Sequence, residues 1–196
     1  MEARLLCAFL LLSSAAHSQV FPDDEDDEDT NSGTIKFSSP DLSDDEAHSP
    51  WVPDTLKCDA CKAVAFQLTT NFDKFNKFNA HYKFNLPESE VIEICEETCL
   101  GENVWNQYGI KEIKKVKRLS GPGMEHFETP GVTAGGGKWP ARLQDTCEQF
   151  LGDIGEMAIY NVYKQNPKAK RRLEDFLCRS KETSRSACRK KAKDEL

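Results

Sequence analysis

The chain has 196 residues, 38% of them hydrophobic and 30% charged, with eight cysteines and a net charge of −7. That length suits one domain with a modest core rather than several. The negative balance argues against a nucleic-acid partner, and no apolar run reaches the roughly 20 residues needed to cross a bilayer, so no stable membrane insertion is expected.

Residues 1–18 read as a cleavable signal peptide. Arg4 precedes a short apolar stretch at 5–12, and Ala16 and Ser18 are small residues at the expected cleavage point, so the mature chain is expected to begin at Gln19. At the other end stands Lys193-Asp194-Glu195-Leu196, a signal read by the endoplasmic-reticulum retrieval receptor. The two ends predict one location, the lumen of the endoplasmic reticulum, where disulfides form and persist.

Residues 19–50 hold eleven acids against the single base Lys36, a charge of −10, so residues 51–196 carry +3. With few large apolar residues this acidic tail is expected to be disordered. Its carboxylates suit weak calcium binding, docking on its own domain or a partner, or plain solvation. No loop of calcium-ligand spacing is present, which favours solvation.

The domain is assigned to residues 51–192. From Leu56 onward Cys58, Cys61, Ala65, Leu68, Phe72 and Phe75 recur in steps of three and four, the signature of one helix face. A second helix is predicted from Pro87, with Glu88 and Glu90 at its positive end and Val91, Ile92, Cys95 and Cys99 as its stripe, closed by Leu100-Gly101. A shorter helical piece is expected over 103–117, with Trp105, Tyr108, Ile113 and Val116 packing. Residues 120–140, punctuated by Gly121-Pro122-Gly123, Pro130-Gly131 and Gly135-Gly136-Gly137, read as a long loop. A long helix follows from Ala141, its stripe running from Leu143 to Tyr160, and a last short helix is expected over 168–177. No alternating strand pattern stands out, and the predicted fold class is all-α.

His48, His81 and His126 lack the paired spacing of a zinc site, and the glycine triplet is not followed by the Lys-Ser/Thr of a phosphate loop. No metal and no cofactor is expected. No nucleophile constellation is present, so no catalytic residue is assigned and the default is a non-enzyme.

Cys7 leaves with the signal, so seven cysteines remain: Cys58, Cys61, Cys95, Cys99, Cys147, Cys178 and Cys188. Six can pair and one is left over. Cys58-Asp59-Ala60-Cys61 admits two readings. One is a redox dithiol, which needs a lowered thiol pKa and mutual pairing, and is normally carried in a βαβ unit that this sequence lacks. The other is a structural framework.

The spacing of these cysteines resembles the saposin-like framework. In that framework the first cysteine pairs with the last, the second with the second-last, and the middle two with each other. The resemblance implies Cys58–Cys188, Cys61–Cys178 and Cys99–Cys147. Cys95 and Cys99 lie one helical turn apart, so either can face Cys147. Cys99 is the preferred partner, leaving Cys95 as the free thiol. Residues 57–65 (Lys-Cys-Asp-Ala-Cys-Lys-Ala-Val-Ala) and Trp105-Asn106-Gln107-Tyr108-Gly109 are similar to the canopy-type saposin-like proteins. Residues 116–123 and Trp139-Pro140-Ala141-Arg142-Leu143 look like one plasma-cell member of that family.

This likeness implies a saposin-like helical domain stapled by three disulfides. It also implies an endoplasmic-reticulum co-chaperone that binds immunoglobulin heavy and light chains, promotes their disulfide-linked assembly and secretion, IgM above all, and works beside larger lumenal chaperones. A role in calcium homeostasis and integrin activation comes with it. The alternatives are a thiol–disulfide oxidoreductase using Cys58 and Cys61, and a lipid-binding saposin-like protein. The candidate contact surfaces are the glycine-rich loop and the strip Phe72, Phe75, Phe78 and Phe84. Helical phase assigns Phe72 and Phe75 to the core and leaves Phe78 and Phe84 for partners.

Overall fold

The computed structural model describes residues 38–167, 169, 171–180 and 187–188. The expected signal peptide, the acidic run at 23–29 and the retention residues Lys193, Asp194, Glu195 and Leu196 lie outside the described residues. In chain order the elements are α1 (Asp44–His48), α2 (Lys57–Phe78), a 3-10 turn (Ala80–Tyr82), α3 (Glu88–Leu100), α4 (Glu102–Trp105), β1 (Gly109–Ile113), β2 (Val116–Ser120), β3 (Thr133–Gly135), α5 (Trp139–Ile154), α6 (Glu156–Gln165) and α7 (Arg172–Arg179).

α2 is the axis of the domain and packs against α3, α5 and α7. Its first half is buried on most sides, with Ala60, Cys61, Ala63, Val64, Ala65 and Leu68 all inside. Three alanines and a cysteine let neighbouring helices approach on more than one side, as a core helix requires. Beyond Leu68 the helix becomes amphipathic: Phe72 is buried, Phe75 is half-buried and Phe78 stands out in solvent.

The all-α expectation needs correction. The fold is mostly helical but contains a three-stranded antiparallel sheet of order β2-β1-β3. The helix expected over 103–117 stops at Trp105. Gly109 pairs with Ser120, and Ile113 with Val116, in a hairpin. On the other side of β1, Gly109 pairs with Gly135 and Lys111 with Thr133. The hairpin turn is Lys114-Lys115, with φ 52° and 65°. Two-residue hairpin loops favour this left-handed pair of conformations, but Asn-Gly is the usual sequence that signals it. Two lysines give no such signal, and the apolar residues Tyr108, Ile113 and Val116 suit helical spacing equally well.

β3 lies inside the stretch expected to be loop, and the segment before it is anchored. The buried Lys111 ammonium donates to the carbonyls of His126 (3.3 Å), Phe127 (3.1 Å) and Thr129 (2.8 Å). Gly123, at φ 77°, lies on the ring of Phe66 with no room for a side chain between them.

The long helix expected from Ala141 is two helices. Gly155 adopts φ 84°, ψ 143° and breaks it between α5 and α6, a backbone that side-chain-bearing residues resist. The last helix begins at Arg172 rather than at 168.

Residues 38–50, placed in the disordered tail by composition, are ordered in the structure. Ser43 caps α1 and Glu46 returns the bond to the Ser43 backbone N–H (2.9 Å), a capping box. Pro40 is buried and Leu42 packs on the core. Arg142, on α5 and 1% exposed, holds the segment. Its guanidinium donates to the carbonyls of Asp45 (3.0 Å), Glu46 (2.8 Å) and Ser49 (2.9 Å from Nε, with a second, shorter bond from Nη2). The Trp139 ring lies against the same guanidinium, 4.6 Å from its centroid. The Lys117 ammonium on β2 meets the Glu46 carboxylate at 2.5 Å. Composition judged the tail by its charge and missed a short segment held through its backbone.

Candidate functional site

Three bridges organise the sulfur chemistry. Cys58 is joined to Cys188 (Cα–Cα 4.6 Å), Cys61 to Cys178 (5.8 Å) and Cys99 to Cys147 (5.4 Å). These are the pairs that the saposin-like resemblance implies. The Cys188 N–H donates to the Cys178 carbonyl (3.0 Å), which sets the last two cysteines side by side against the first turns of α2. Cys99 at the end of α3 is tied to the middle of α5. The two cysteines of Cys58-Asp59-Ala60-Cys61 therefore have different partners, and neither holds a thiolate for exchange.

What the motif contributes besides sulfur is Asp59, which sequence reasoning passed over. Its carboxylate, 2% exposed, accepts from Arg118 Nε and Nη2 (both 2.7 Å) and from the Leu119 N–H (3.2 Å). A bidentate pair of this kind fixes both distance and angle. It clamps β2 to the start of α2 and raises the Arg118 guanidinium above its ordinary value, chiefly through its hydrogen bond to Asp59. The available signal was an acid placed among the buried positions of an apolar helix.

Among the described residues Cys95 is the free cysteine, and it is fully buried. Burial, then the nearby carboxylates of Glu156 and Glu96, pushes its thiol from 9.0 up to about 12. Tyr108, also buried, is pushed by burial from 10.0 up to about 12, partly opposed by its hydrogen bond with Gln67. Folded, both groups stay protonated where the unfolded chain has already lost the proton. The unfolded state then binds fewer protons, so stability falls as pH rises from about 9 toward 12. Each group contributes about 1.4 kcal/mol per pH unit once its unfolded form is ionised. Two outcomes are expected. At pH 8 the native protein does not react with iodoacetamide, whereas one thiol reacts in urea. Thermal midpoints fall steeply above pH 9, and a Cys95→Ala variant flattens the portion between 9 and 10. A midpoint level from pH 8 to 11 would contradict this reading.

The aromatic strip divides as helical phase predicts. Phe72 is buried against Tyr160 (ring centroids 5.2 Å) and Tyr163 (5.0 Å). Phe75 stacks on Tyr82 at 6.5 Å. Phe78 is 73% exposed and Phe84 42% exposed. Phe84 follows Lys83, and both have positive φ (61° and 49°). Phe78 does not stand alone. Together with Phe75 on α2, Ile94 and Glu97 on α3 and Val104 on α4 it lines a groove of about 240 Å³. Leu100, 55% exposed, lies one turn beyond Glu97 on α3. Asn71, Lys74 and Asn79 complete the lining, and a groove of mixed apolar and polar character drawn from α2, α3 and α4 can seat a few side chains of another chain. The glycine-rich segment supplies a second hollow of about 520 Å³, lined by Phe66, Gly123, His126, Arg118 and Asp73 among others, which is more polar.

Among the described residues no group of three His, Cys, Asp or Glu is placed to hold a metal, and no helix is long and apolar enough to cross a membrane.

No family model matches the chain. It is similar to the "Marginal zone B- and B1-cell-specific protein" of Mus musculus, 37% identical over 151 residues that cover 74% of this chain and 78% of that protein. The Homo sapiens protein of the same name is 35% identical over 150 residues, 74% of this chain and 77% of its own length. The Bos taurus protein is 35% identical over 167 residues, covering 82% and 84%.

Proposed function

The chain belongs to the marginal zone B- and B1-cell-specific protein family, and from that premise we propose that it is an endoplasmic-reticulum co-chaperone for antibody assembly. It binds immunoglobulin heavy and light chains while they are partly folded and promotes their disulfide-linked assembly and secretion, IgM above all. Larger lumenal chaperones work beside it, and the retrieval receptor keeps it in the lumen. The observation that carries the reading is the exposed Phe78 beside a groove that holds Phe75, Ile94 and Val104, on a domain whose ends are joined by disulfides. A three-disulfide domain belongs in an oxidising compartment, and an exposed aromatic beside other apolar side chains is what a binder of unfinished chains needs.

The oxidoreductase reading is weaker because Cys58 and Cys61 are each bonded elsewhere. Mass mapping of the oxidised protein from cells separates the two, since a Cys58–Cys61 bridge would restore the redox reading. The direct test places a photo-crosslinking amino acid at position 78 in antibody-secreting cells. Immunoglobulin heavy and light chains are the expected products. Capture of other lumenal proteins without them would overturn the immunoglobulin assignment.

A further inference from the structure

α3 carries five carboxylates, Glu88, Glu90, Glu93, Glu96 and Glu97, and neither lysine nor arginine. Glu88 and Glu90 are explained by the helix itself, because carboxylates in the first turn meet the positive end of its dipole. The other three have no such account. Glu97 stands in the last turn and Glu96 just before it, where the dipole disfavours negative charge, and no base is present in that turn. Glu93, Glu96 and Glu97 are exposed, and among the described residues no lysine or arginine forms an ion pair with them. Glu90, Glu93 and Glu97 succeed one another in steps of three and four and so form one stripe. Glu97 alone of these lines the groove, beside Ile94, and Glu93 and Glu90 continue the same helix face away from it. Lys74 lines the opposite side, from α2.

The groove thus joins the apolar side chains Phe75, Phe78, Ile94 and Val104 to Asn71 and Asn79, with the Glu97 carboxylate on its α3 side and the Lys74 ammonium on its α2 side. We infer that it selects client segments that combine apolar side chains with lysine or arginine on the side facing α3, and rejects segments that bring carboxylates there. This rests on the reading of the groove as a client-contact surface. It adds that the choice among unfinished chains is electrostatic. Like-charge juxtaposition disfavours wrong partners, so charge complementarity contributes specificity more than raw affinity.

The test uses the full-length oxidised protein and three labelled peptides with identical apolar residues, flanked by lysine, glutamine or glutamate. Fluorescence anisotropy is expected to show the lysine peptide binding about tenfold more tightly than the glutamine peptide, with the glutamate peptide weakest. Raising the salt narrows the gap, because exposed charges are screened. A Glu93→Lys/Glu97→Lys variant, checked for an unchanged circular dichroism spectrum, reverses the order. Phe78→Ser weakens all three. Equal, salt-insensitive binding of the three peptides that is still lost in Phe78→Ser overturns the charge selection alone. If no peptide binds, or Phe78→Ser changes nothing, the contact-surface reading fails with it.

Discussion

Replacing Cys61 and Cys178 with alanine is expected to cost about 3 kcal/mol, replacing Cys58 and Cys188 about the same, and replacing all four about 7.5 kcal/mol. The excess follows from the way the two bridges nest. Either one alone closes a long ring: the separations of 130 and 117 become 82 and 69 once the 48 residues short-circuited by Cys99–Cys147 are subtracted. In a chain-entropy account a loop of that size is worth about 4.5 kcal/mol, whereas one of about 15 residues is worth nearly 3 kcal/mol. Once one bridge has closed the long loop, the other closes only the 13 residues by which the separations differ. Each single loss therefore removes the small ring, and only the double loss opens the large one. Urea unfolding of the oxidised single-bridge and double-bridge variants measures this directly. The double variant should also show a larger denaturant slope, because its unfolded chain exposes more surface. Costs that merely add would mean that the bridges act locally on the native state rather than on the unfolded chain.

Asp59→Ala is expected to destabilise by roughly 3 kcal/mol without touching a sulfur. Removing one partner of a buried ion pair costs about 3–5 kcal/mol. Arg118 is 33% exposed and regains part of its hydration, which places the effect at the lower end. The Leu119 N–H is buried and loses its acceptor as well, a further penalty of about 1–3 kcal/mol when nothing replaces it. Asp59→Asn keeps an acceptor and should lose about half as much. A double-mutant cycle with Arg118→Ala isolates the coupling, and the double variant should be less than additive. If Asp59→Ala melts at the wild-type temperature, the clamp contributes nothing and the cysteines alone hold the start of α2 in place.

Much of the helical framework could be read from residue order. α2 is long and periodic, and the positions of Phe72 within its stripe and Phe78 off it follow from phase alone. What escaped depends on partners far away in sequence or on backbone conformations with no characteristic residue. The hairpin was hidden because Lys114 and Lys115 occupy a turn normally marked by Asn-Gly. Asp59 looked like a spacer between cysteines because its partner stands 59 residues away. Gly155 has no neighbour that marks it as a boundary, yet its positive φ ends one helix and begins another. The groove draws on α2, α3 and α4 at once, and no single segment announces it.

Arg142 grips Asp45, Glu46 and Ser49 through their carbonyl oxygens. Every amino acid offers the same oxygen, so this hold is indifferent to the letters written there. Side-chain partners within 45–49 belong to Glu46, in the Ser43 cap and Lys117, and to Ser49, whose hydroxyl bonds the Trp51 backbone, so the other positions should tolerate wide substitution. An alanine scan of the segment should come out nearly flat outside Glu46 and Ser49, while one change in α5, at Arg142, sets the whole segment loose. Mutational sensitivity would then map to the holder and hardly at all to what is held.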